Sequence, residues 1–227
     1  MVPHLTAGRA LSSQARQRYG LLLVSLLASL AVQGVAAPTA GQQVLVSGLV
    51  GINLLLAFWA AGLSSRLLLL AACLAIALLA FSVVRAATGE IGEGVSRAMN
   101  AALVALGSPA VAVGVVRSLR ASREVRVEAV MGVLSLYMLL GMLFAFVFGA
   151  IDRYDHPFFA GDVSATVSRC LYFSFTTLTT VGYGDLTART DLGHTLSVFE
   201  ALIGQIYLVT VVSLIVGNLR RPLPDRT

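Results

Sequence analysis

The sequence predicts an all-α membrane protein of six transmembrane helices, with a short re-entrant helix and a glycine-bearing loop between the fifth and the sixth. Three observations predict it. Hydrophobic residues make up 57% of the chain and charged residues only 12%, where soluble domains carry about a quarter charged. Apolar runs recur at roughly 18 to 25 residues, the length that crosses a bilayer core as a helix. Near the carboxyl end, a run too short to cross leads directly into Thr179-Thr180-Val181-Gly182-Tyr183-Gly184-Asp185. The net charge of +5 is carried by sixteen arginines and no lysine, placed in short loops and tails. That pattern orients a membrane protein. No basic stretch is interleaved with aromatic residues as a nucleic-acid platform requires, so the expected environment is the lipid bilayer and no nucleic-acid partner.

Residues 1–19 read as a polar cytoplasmic tail, with Arg9, Arg16 and Arg18. Residues 20–116 read as a four-helix transmembrane domain. Its first span, Gly20 to Ala37, also resembles a secretory signal, because arginines precede a Leu-rich core and Val35-Ala36-Ala37 follows it. Pro38 would stand just after the cut without a backbone donor, which favours a retained helix. Val44 to Leu63 is the second span, carrying Asn53 and Trp59, and Arg66 marks a short turn. Leu67 to Val84 is the third. A loop rich in glycine and glutamate, from Gly89 to Gly94, separates it from the fourth, Ala98 to Val116, where Gly107-Ser108-Pro109 predicts a kink. Cys73 and Cys170 both fall in apolar runs and are expected as buried small hydrophobes, unpaired.

Residues 117–128 form a basic linker with Arg117, Arg120, Arg123 and Arg126 at every third position. Residues 129–219 then comprise the fifth span, Ala129 to Ala150, a polar turret from Asp152 to Pro157, the short helix Val167 to Leu178, the glycine-bearing loop, and the sixth span, Thr195 to Leu219. His156 is expected to be a solvated turret residue. Residues 220–227 form a second tail, beginning with Arg220 and Arg221, and no soluble ligand-binding domain is expected in these residues.

Chemistry concentrates in the loop. Gly182 and Gly184 accept positive φ without a Cβ clash, so successive carbonyls can be turned to one side of an extended strand. Thr180 adds a hydroxyl, while Val181 and Tyr183 are expected to point away from those oxygens. Hard oxygen ligands suit an alkali cation. A single strand cannot surround an ion, so the ring of carbonyls requires three further copies of the chain about a common axis. No nucleophile-base pair, phosphate cradle or metal-ligand cluster stands in the sequence, so neither an enzyme nor a cofactor is expected.

Thr180 to Gly184 spells T-V-G-Y-G, with Thr179 and Asp185 flanking it and the aromatic Leu171-Tyr172-Phe173-Ser174-Phe175-Thr176-Thr177-Leu178 before it. This stretch resembles the selectivity filter and pore helix of potassium channels, in the bacterial type whose two-helix pore domain follows four helices within the voltage-gated-like tetrameric superfamily. The resemblance extends from the fifth span to the end of the sixth. It implies passive K+ conduction through a homotetramer, with Thr180, Val181, Gly182 and Tyr183 coordinating K+ as the permeant ligand. Thr179, Gly184, Asp185, Tyr172, Phe173 and Glu200 would support the filter. Gly204 and Gly217 are candidate hinges, with close helix packing the equal alternative.

Glu200 is the sole carboxylate within a span and is costly there unless satisfied. It serves either as a brace behind the filter, which the resemblance favours, or as a charge on the permeation path. The arginine run resembles the sensor helix of voltage-gated channels. Its interspersed Ser and Glu, its uncharged neighbouring span and the absence of Asp or Glu from the first three helices favour a cytoplasmic interfacial linker instead. A voltage-gated channel using that run is therefore the alternative function, and a non-conducting scaffold or regulatory subunit is the alternative of another class. With both termini cytoplasmic in a plasma membrane, most arginines lie inside, and Tyr183 and Asp185 face out.

Overall fold

Amides inside hydrocarbon must find partners within their own segment, so apolar runs of spanning length become helices. In the computed structural model, which describes residues 4–35, 40–88, 93–121, 127–154, 157–161 and 163–219, seven helices follow one another among these residues. They are α1 (His4–Val35), α2 (Ala40–Ala60), α3 (Ser65–Thr88), α4 (Glu93–Ala121), α5 (Val127–Tyr154), α6 (Val167–Leu178) and α7 (Asp191–Leu219). Six of them are long and apolar enough to cross a membrane; α6 is not. The chain is an all-α membrane protein, and no strand occurs among the described residues beyond an isolated bridge between Phe159 and Ala188.

Most helices outrun the apolar segments that predict them. α1 begins at His4, so most of the segment expected as a tail is helical. Its Ala, Leu, Arg and Gln residues are good helix formers, and a helix already nucleated in the span propagates into them at little cost. α4 likewise continues to Ala121, which places Arg117 and Arg120 on its final turns and not in a linker. It also runs unbroken through Pro109. α7 starts early, at Asp191, with the Thr190 hydroxyl accepting from the Gly193 amide at 3.2 Å and a carboxylate in the first turn that favours the helix dipole. α6 has the predicted bounds, because Thr166 caps it: Oγ1 accepts from Arg169 N at 3.3 Å.

Of the four N-terminal helices, α1 and α4 pack against the last three. α4 packs most extensively on α5 and also on α2, while α1 packs on α2, α5 and α6. α3 lies at the periphery, packed on α2 and barely touching α4. In a lipid solvent, close approach and interhelical hydrogen bonds hold helices together. Tyr19 of α1 is buried where α4 and α5 leave room for it: a Cβ added at Gly114 would lie 2.3 Å from the Tyr19 hydroxyl, and one at Gly132 would lie 3.2 Å from its ring. Asn53 of α2 ties to α1, accepting from Ser25 Oγ at 2.7 Å and donating to Ser29 Oγ at 2.8 Å. Ser82 of α3 donates to Ser47 of α2 at 3.0 Å. Arg18 lies over the Trp59 ring at 4.9 Å, a cation–π contact. Ser168, at the start of α6, donates to the Gly34 carbonyl near the end of α1 at 2.9 Å.

Both cysteines are free, yet only Cys170 is buried. Cys73 is exposed, contrary to expectation, because α3 has few neighbours and turns most of its apolar surface outward, where lipid replaces a protein core.

Candidate ion-conducting site

The site begins with what fixes α6. Phe173 inserts among Phe148, Phe158 and Phe159, with ring centroids 5.4 to 5.7 Å away in edge-to-face geometry. Phe175 faces α5 at Gly141, where an added Cβ would lie 2.7 Å from the ring. Tyr137 of α5 donates its hydroxyl to the Leu178 carbonyl at 3.2 Å and stacks on Tyr207 of α7 at 5.4 Å. Tyr207 in turn donates to the Val133 carbonyl of α5. α5 and α7 thus clamp the carboxyl end of α6, whose dipole favours a cation nearby.

Beyond α6 the backbone alternates. Thr180, Gly182 and Gly184 have φ of +60°, +50° and +78°. The amide of Thr180 donates to the Thr177 carbonyl at 2.9 Å, and those of Val181 and Gly182 both donate to the Thr176 carbonyl at 2.9 and 3.1 Å. In a planar trans peptide, each carbonyl points opposite the amide of the following residue. The carbonyls of Thr179, Thr180 and Val181 therefore all face away from α6, on one side of the strand. Sequence reasoning anticipated positive φ at the two glycines but missed Thr180, a β-branched residue for which this region is strained. Its only signal is the alternation itself, which counts back from Gly184 through Gly182 to position 180.

Side chains hold the end of the loop farther from α6. Tyr183 stacks on Tyr172 at 6.0 Å with planes 6° apart, and the Tyr172 hydroxyl donates to Asp185 Oδ2 at 3.0 Å. Farther along the chain, Ala160 N donates to Thr187 O at 2.9 Å and Arg189 N to Phe158 O at 2.8 Å, tying the segment after the loop back to the residues that precede α6. Val181 and Tyr183 are 54% and 71% exposed on the isolated subunit.

The structure brings Tyr172, Tyr183 and Asp185 together, and Thr179 caps α6 with its Oγ1 donating to Phe175 O at 2.6 Å. Phe173 belongs to the phenylalanine cluster and contacts the helix support, not the strand. Glu200 is fully buried, its Oε1 against the Ser174 hydroxyl. Gly204 is a contact position: an added Cβ would lie 2.2 Å from the Leu178 carbonyl oxygen. Gly217 lies within α7, and Arg117 is exposed at the end of α4. Arg123, Arg126, His156, Arg220 and Arg221 lie outside the described residues. Gly141, Ser174, Tyr137 and Tyr207 were not singled out from sequence; only Gly141, small among bulky neighbours in its span, offered a signal.

No curated protein and no solved structure matches the chain. Residues 132–221, which take in most of α5 and all of α6 and α7, match the family model described as Ion channel.

Proposed function

We propose that four copies of this chain form a potassium-selective channel that conducts K+ passively across the plasma membrane. The observation that carries this reading is the alternation at Thr180, Gly182 and Gly184, with the amides of Thr180, Val181 and Gly182 turned to α6. It leaves three consecutive carbonyls free on the other side of the strand. Repeated about an axis, such oxygens replace the hydration shell of an alkali ion. One chain supplies one strand, so four subunits are needed to complete the K+ sites; Thr180 and Val181 would supply carbonyls already turned away from α6, and Gly182 and Tyr183 are included on the resemblance. Support also comes from the exposed outer half of α7, where Val198, Phe199, Leu202 and Ile206 form an apolar face beside the exposed filter.

Gating by voltage is not part of this reading. Arg117 ends the apolar span of α4 and Arg120 lies beyond it, and α1 to α3 contain no carboxylate to pair with arginines in transit. Both termini are assigned to the cytoplasm by the arginine distribution.

The test is purified protein in liposomes under opposing KCl and NaCl gradients. A K+ flux blocked by barium, with Na+ excluded, is expected. Silence at all voltages and pH values would replace the channel with a non-conducting scaffold or regulatory subunit.

A further inference from the structure

Behind the filter, three oxygens from three helices meet in a row. Ser174 Oγ of α6 lies 2.7 Å from the Gly141 carbonyl of α5 and within hydrogen-bond reach of Glu200 Oε1 of α7. Two hydrogen bonds need two protons. The serine hydroxyl has one, the Gly141 carbonyl has none, and an ionised carboxylate has none. If Glu200 were ionised, Ser174 could satisfy only one neighbour and would turn lone pairs toward the other. The second proton can come only from the Glu200 carboxyl.

The surroundings agree. Glu200 and Ser174 are both fully buried. Oε2 of Glu200 has no hydrogen-bond partner among the described residues. Among the described residues, Ser174 of α6 is the side chain hydrogen-bonded to Glu200, and no charged group bears on that carboxyl. The titratable group facing it from α5 is the neutral phenol of Tyr137. An isolated charge in such a place costs far more than a neutral acid.

We propose that Glu200 is held as the neutral carboxylic acid and donates through Ser174 to Gly141, making it a positioning residue that locks α7, α6 and α5 together behind the filter strand. Its effect on selectivity rests on the channel reading above; its protonation does not.

Infrared difference spectra of lipid-embedded protein at neutral pH test the protonation. Wild type minus Glu200→Gln is expected to show the carbonyl stretch of a protonated carboxyl, and Ser174→Ala is expected to shift that band to higher frequency. A carboxylate band in its place, or a protonated band that Ser174→Ala leaves unmoved, would overturn the proposal. The positioning role is read from K+-over-Na+ flux ratios. Glu200→Leu, which has no donor, is expected to lose about tenfold more selectivity than Glu200→Gln, whose amide still donates to Ser174. Equal losses would remove the positioning role. If wild type carries no K+ flux, the channel reading fails, while the infrared band still decides whether Glu200 bears the proton.

Discussion

Tyr172 and Asp185 are joined across the glycine-bearing loop by a 3.0 Å hydrogen bond from the phenol to the carboxylate, and the Tyr183 ring stacks on Tyr172 beside it. The last turns of α6 thereby hold both ends of the loop, the end next to α6 through backbone carbonyls and the far end through one side chain. Tyr172→Phe removes the hydrogen bond and keeps the stack. Loss of about 1 kcal/mol is expected, roughly a fivefold loosening of the outer loop. The K+/Na+ permeability ratio should fall by a similar factor, and an unchanged ratio would mean that the bond does not steady the filter.

Gly182→Ala tests the backbone itself. A Cβ at this position meets nothing within 4 Å among the described residues, so the cost is conformational, about 1–2 kcal/mol for an L-residue at φ +50°. The variant is expected to fold, because the strain is small against the packing of α5 to α7, yet to lose K+ selectivity or conduction. Normal K+ currents would remove the carbonyl-ring account.

Gly204→Ala has a different cause and a different readout. The new methyl would lie 2.2 Å from the Leu178 carbonyl oxygen, a backbone atom that cannot turn aside, and overpacking of this kind costs about 1–3 kcal/mol. Lower thermal stability of the purified protein is expected. A variant that folds as stably as wild type and changes only channel opening would identify a hinge and not a contact.

Arg117→Gln with Arg120→Gln tests the role of the α4 terminus. These residues lie at and beyond the end of the apolar span, where a charge moves through little of the membrane field. The voltage dependence of K+ current is expected to be unchanged. Gating currents in the wild type that the double variant abolishes would establish a voltage sensor.

Asn53→Leu addresses the N-terminal helices. It removes both hydrogen bonds from α2 to α1, each worth about 0.6 kcal/mol in a membrane protein. A modest drop in thermal stability without a change in K+ selectivity is the expected result, checked by thermal unfolding and flux in the same liposomes.

The sequence by itself determined the spans, the bounds of α6 and the positive φ of Gly182 and Gly184 in the loop after it. Each is a local matter: hydrocarbon forces an apolar run into a helix, Thr166 caps its own turn, and glycines permit positive φ where they stand. It also pointed to Glu200 through the cost of a carboxylate in a span. Only the tertiary structure decided that α1 and α4 lie against α5, that Gly204 touches Leu178, that Glu200 meets Ser174, and that Thr180 takes a strained conformation. Around a membrane helix, lipid and protein neighbours are alike apolar, so hydropathy does not reveal which face meets which helix. That choice is made by shape and by a few hydrogen bonds between residues far apart in the chain, and Thr180 is strained because the amides after it are drawn to the end of α6.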